Sequence, residues 1–136
     1  MDSRTLAYQL RGLVAGYLAM VGIAGAMPAL AASFYANGAA FDWWVGGTCI
    51  IAFIAAALLF FRIRYAIPLC ITYIVLVAVG AFAYTQHRIY RNPGFHSYYS
   101  FTLSVQLALN ALAVFALLAV WKQEKLNGNQ ATHPPN

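Results

Sequence analysis

The chain has 136 residues, 62% of them hydrophobic and only 8% charged, with a net charge of +5. A soluble domain carries about 25% charged residues, so this composition points to a membrane protein. The positive charge does not indicate a nucleic-acid partner: the eight Lys and Arg are scattered between apolar runs and form no continuous patch.

Apolar runs of about 20 residues are needed to cross a bilayer, and four are expected, at 12–35, 43–61, 65–84 and 101–121, none with a charged residue inside it. This is an all-α membrane domain of four transmembrane helices. The first run is rich in small residues: Gly12 and Gly16 form a GxxxG, and Ala15, Ala19, Gly22 and Ala26 form a second stripe at helical spacing. Small faces let helices approach closely in lipid, either within the bundle or against another subunit or a second copy. Pro28 is expected to bend this helix, and Ala29-Leu30-Ala31 after Arg4 and Arg11 resembles a signal-peptidase site. The run exceeds a signal core of about 7 to 15 residues, so an uncleaved anchor is expected.

Asn37-Gly38 marks the first turn, and the Asp42 carboxylate is placed to cap the second helix. Pro68 falls in the first turn of the third helix, where a missing N–H costs little. Tyr35, Trp43, Trp44, Tyr65, Tyr84, Tyr98, Tyr99 and Trp121 stand at run ends, where an aromatic belt belongs. Cys49 and Cys70 lie at different depths, so no disulfide is expected between them, and both are read as small packing residues.

The third connection, residues 85–100, concentrates chemistry: His87, Arg88, Tyr90, Arg91, His96, Ser97, Tyr98 and Tyr99 around an Asn92-Pro93-Gly94 turn. A catalytic reading needs Ser97, His96 and Asp42 together, and a lipid-phosphate reading uses His87, Arg88 and Arg91. Helix-end chemistry explains the same cations if the third helix continues past Tyr84, because positive charge complements the C-terminal dipole. No acid or thiol completes a metal set with the two His, so neither a metal nor a cofactor is implied.

In the fourth run Thr102, Gln106 and Asn110 recur every four residues and share a face. Asn110 lies near mid-membrane and needs a partner, with Thr72 or Tyr73 as candidates, or else it belongs to a polar pathway. The tail 122–136 reads as polar and mobile, and His133 there has no ligand companions.

Orientation follows from Lys and Arg. Placing both termini in the cytoplasm puts Arg4, Arg11, Arg62, Arg64, Lys122 and Lys125 inside and leaves Arg88 and Arg91 outside. Small size and short loops suggest a bacterial-type inner membrane. Marks of small four-span families are missing: an intramembrane Glu, paired haem His, or a CxxC. The leading expectation is a non-catalytic protein that works by protein–protein interaction. It would be an accessory subunit of a membrane complex or an immunity protein against a membrane-active toxin, with Arg88, Tyr90, Arg91, Tyr98 and Tyr99 as the partner-binding residues and Gly12, Gly16, Gly22 and Asn110 as helix-packing residues. Membrane lipid and a protein partner or second copy are the expected associates. The rival is a small channel or uncoupled carrier lined by the fourth helix.

Overall fold

The computed structural model describes residues 3–35, 43–63 and 65–132. These form four α-helices and one short 3₁₀ turn, with no strand among the described residues. The helices are α1 (Ser3–Tyr35), α2 (Trp43–Phe60), α3 (Ala66–Arg91) and α4 (His96–Thr132); Pro93–Phe95 forms the 3₁₀ turn. Three helices, α1, α3 and α4, contain stretches long and apolar enough to cross a membrane, and Gly47–Phe60 of α2 is a shorter apolar helix. Asn37, Gly38 and Asp42, with the turn and cap expected of them, lie outside the described residues, as do Arg64 and His133.

The helices follow one another around a ring. Among the described residues α1 packs on α2 and α4, α3 packs on α2 and α4, and the diagonal pairs do not meet. The buried positions explain this arrangement. On α1 they are Arg11, Val14, Ala15, Leu18 and Gly22; on α4, Leu103, Asn110, Ala113, Leu117 and Val120. Apart from the adjacent Val14 and Ala15, both series step by three, four or seven residues, which keeps one face on the core.

The core formed by the described residues is concentrated toward the end of the bundle that holds the chain termini. Val14, Leu18, Leu59, Cys70, Leu117 and Val120 are its largest fully buried side chains. Alanines at 52, 55 and 56 keep the inner face of α2 thin, so α1 comes close; an added Cβ on Gly22 would stand 2.9 Å from the Phe53 ring.

The α2–α3 link is a Schellman turn. Ile63 N–H donates to Leu58 O, Arg62 N–H donates to Leu59 O, and Arg62 takes a left-handed φ of 55°. Arginine replaces the usual glycine there, and its guanidinium lies 4.8 Å from the centroid of the Tyr8 ring on α1. Pro68 sits in the first turn of α3, where its missing N–H breaks no bond within the helix.

Two helices extend beyond their apolar runs, the first as the helix-end reading of its cations requires. The connection at 85–100 shrinks to residues 92–95, because α3 runs to Arg91 and α4 begins at His96. Nothing between Thr85 and Arg91 breaks a helix, and Arg88 and Arg91 complete its last turn. Asn92 stops it: its N–H donates to Arg88 O, and its carbonyl accepts from Phe95 N–H across Pro93-Gly94. Residues 122–132, expected as a polar tail, continue α4 to Thr132. Lys122, Gln123, Glu124, Lys125 and Leu126 are all good helix formers.

Candidate functional site: a half-filled bundle with an aromatic and basic end

The expected recognition residues occupy the end of the molecule formed by the last turns of α3 and the first turns of α4. Arg88, Tyr90, Arg91 and Tyr98 are exposed, with Tyr90 at 87%, and Tyr99 is half-buried. Arg88 Nε donates to Tyr84 Oη at 2.9 Å, and its guanidinium carbon lies 5.3 Å from the centroid of that ring. Phe95, Tyr98 and Tyr99 form an aromatic cluster, with Tyr99 5.7 Å from Tyr98 and 6.3 Å from Phe95 between ring centroids. The end therefore carries two preformed pieces, an arginine fixed on a tyrosine and three rings held edge to face or tilted. Tyr90 stands about 200° around α3 from Arg88 at 100° per residue, so it projects from a different side of the helix.

His87 and His96 are exposed on separate helices, and no group of three His, Cys, Asp or Glu comes together among the described residues. Ser97 follows His96 in the first turn of α4 and is exposed; Asp42 lies outside the described residues.

The polar face of α4 resolves into three environments. Successive steps of four residues lag by about 40° on a helix of 3.6 residues per turn. Thr102 is accordingly exposed, Gln106 half-buried and Asn110 buried. Thr102 Oγ1 donates back to the carbonyls of Tyr98 and Tyr99, at 3.1 and 3.0 Å. Asn110 Oδ1 accepts from Tyr17 Oη at 2.7 Å. Its partner is thus on α1, not α3. The two α3 candidates are engaged elsewhere: Thr72 Oγ1 donates to Pro68 O at 2.9 Å, and Tyr73 Oη donates to Thr48 O at 2.7 Å. Asn110 Nδ2 is buried without a partner.

Toward the α3–α4 turn, residues of all four helices line a partly open cavity of about 540 Å³. Tyr17, Thr48, Tyr73, Thr102 and Gln106 supply its polar groups, and Val77, Val105 and Leu109 much of its apolar wall. Tyr17 and Tyr73 border both the cavity and the packed core. Cys49 borders the cavity, whereas Cys70 lies in the core, where its thiol donates to Ala55 O at 3.5 Å; both are free and buried.

At the opposite end Arg11 is only 7% exposed, and its Nη1 pairs with Glu124 Oε1 of α4. The pair clamps the start of α1 to the end of α4. It was legible only as two charges just outside the apolar runs, 113 residues apart in sequence.

Of the glycines expected to pack, Gly22 alone meets another helix. Gly12 and Gly16 are on the exposed side of α1, and a Cβ on either would meet nothing within 4 Å. No family model, no curated protein and no solved structure matches the chain.

Proposed function

We propose that the protein is a four-span membrane protein that acts without catalysis, by binding a protein partner through the exposed end of α3 and α4. In this reading α2 is the remaining span: its 18 residues extend about 27 Å, close to the roughly 30 Å thickness of the hydrocarbon core. Both termini lie in the cytoplasm of a bacterial-type inner membrane, with Arg4, Arg11, Arg62, Lys122 and Lys125 on that side beside anionic headgroups. The α3–α4 turn then faces the periplasm.

The observation that carries the reading is the preformed Arg88–Tyr84 pair beside the exposed Tyr98–Tyr99 cluster. Tyr and Arg dominate recognition hot spots, and side chains already held in place lose less entropy on binding. Two partners fit such a surface: a larger membrane complex, to which this chain is an accessory subunit, or a membrane-active toxin that this chain neutralises. The test is capture of partners from solubilised native membranes. Replacing Arg88, Arg91 and Tyr98 with Ala should leave insertion unchanged and abolish capture. Undiminished capture by the triple variant sinks the reading.

A second reading, an uncoupled carrier, draws on the cavity lined by Thr102 and Gln106. The filled core below Tyr17 and Asn110 weighs against an open pathway. Asn110→Leu discriminates: a carrier loses flux in liposomes, whereas a packing residue alters thermal stability alone.

A further inference from the structure

Among the described residues, the packed core is bordered toward the α3–α4 turn by a partly open cavity. Of the described side chains, the largest fully buried ones lie level with the Tyr17–Asn110 bond or nearer the chain termini, and a cavity of about 540 Å³ lies toward the α3–α4 turn. That volume is within the range of sites for small molecules, about 300 to 1,000 Å³. The wall has a distinct chemistry: among the described residues it includes no Asp, Glu, His, Lys or Arg. A charged ligand there would lose its hydration with no counter-charge to replace it. The wall is not inert, however. Gln106 lines the cavity and is half-buried, and its carboxamide has no hydrogen-bond partner among the described residues. Its neighbours are satisfied internally: the Tyr17 hydroxyl donates to Asn110, that of Tyr73 to Thr48 O, and that of Thr102 to its own helix. The Gln106 carboxamide, which can donate and accept, is left facing an uncharged wall in which Val77, Val105 and Leu109 are prominent.

We infer that this cavity binds a neutral, lipid-soluble small molecule with a hydroxyl or carbonyl at one end, the Gln106 amide holding that end and the aliphatic wall holding the body. The site is separate from the exposed docking end and does not depend on it.

The test uses the full chain in phosphatidylcholine nanodiscs and a diazirine-bearing long-chain alcohol as the photoreactive probe. Labelling should saturate, map to residues 17–24 and 101–109, and be competed by the unlabelled alcohol but not by the matching carboxylate. Val77→Trp, which fills the cavity, should remove at least nine-tenths of the labelling. Gln106→Leu, which keeps size and removes the amide, should weaken apparent affinity by a few-fold to about tenfold, the effect of one hydrogen bond. If Val77→Trp fails to give a monodisperse protein, Gln106→Leu and the competition on the unsubstituted chain still decide. Labelling that does not saturate, that spreads over outward positions such as Leu76 and Leu112, or that the carboxylate competes equally, overturns the proposal. Partner capture by the Arg88, Arg91 and Tyr98 variant is a separate readout, so the two readings can fail independently.

Discussion

Tyr17 on α1 and Asn110 on α4 are joined by one hydrogen bond of 2.7 Å, and Tyr17 borders both the packed core and the cavity. The two partners are not equivalent. Asn110 already keeps its Nδ2 buried and unpaired. Removing the Tyr17 hydroxyl leaves a whole carboxamide without partners, at a cost of about 1 to 3 kcal/mol. Removing the carboxamide relieves the unpaired Nδ2 and strands only a half-buried hydroxyl. Tyr17→Phe should therefore lower thermal stability more than Asn110→Leu, and the double variant should recover much of the loss. Equal effects of the two single variants would contradict this asymmetry.

The Arg11–Glu124 pair has the same logic with charge. Arg11 is buried and its Nε has no partner, while the Glu124 side chain is 45% exposed. Glu124→Ala leaves a cation with little solvent. A fully buried pair broken in this way loses about 3 to 5 kcal/mol. Water at Glu124 screens the interaction, and about 1 to 2 kcal/mol is expected here. Arg11→Met removes the charge together with its desolvation and should cost less. Denaturation in mild detergent measures both; a larger loss from Arg11→Met would overturn the account.

Arg62 holds a left-handed φ that costs a non-glycine residue roughly 1 to 2 kcal/mol. Its contact with Tyr8 returns about 0.5 to 1 kcal/mol if exposed. Arg62→Gly should thus be neutral or stabilising by up to about 1 kcal/mol, whereas Arg62→Ala, which keeps the backbone cost and loses the ring contact, should destabilise. A thermal shift series on the two variants reads the difference directly.

The glycines of α1 separate in the same way. Gly22→Ala places a methyl against the Phe53 ring, and Phe53→Leu in the same chain should restore stability. Gly16→Ala meets open space and should be neutral or slightly stabilising, since alanine is favoured over glycine in a helix interior by about 1 kcal/mol. A comparable loss from both variants would show that the two positions are not distinguished by packing.

The helices and much of their spacing could be read from the sequence, because hydrophobic runs and Pro93 report directly on where a chain enters and leaves an apolar medium. Partners could not. Tyr17 bonds Asn110 across 93 residues, and Arg11 meets Glu124 across 113; which faces of α1 and α4 meet depends on packing that no local pattern encodes. The Gly12-Gly16 pattern shows the same limit, since GxxxG marks a thin face without saying what lies against it. The third connection could be read two ways for a local reason, and the helix-end reading of its cations is the one the structure shows. Polar residues from Thr85 to Arg91 resemble a loop in composition, yet a helix leaving a membrane is polar for the same length. The cavity left no trace in sequence, because it arises only where residues of four helices come together.

The proposed docking surface requires the α3–α4 turn to face away from the cytoplasm, and labelling of an engineered thiol tests this most directly. Ser97 is exposed in the first turn of α4, and the two native cysteines are buried. With Ser97→Cys in intact cells, a membrane-impermeant maleimide should label the protein without permeabilisation, while the unsubstituted chain stays unlabelled. Labelling of Ser97→Cys only after the cells are lysed would place the turn in the cytoplasm and contradict the account.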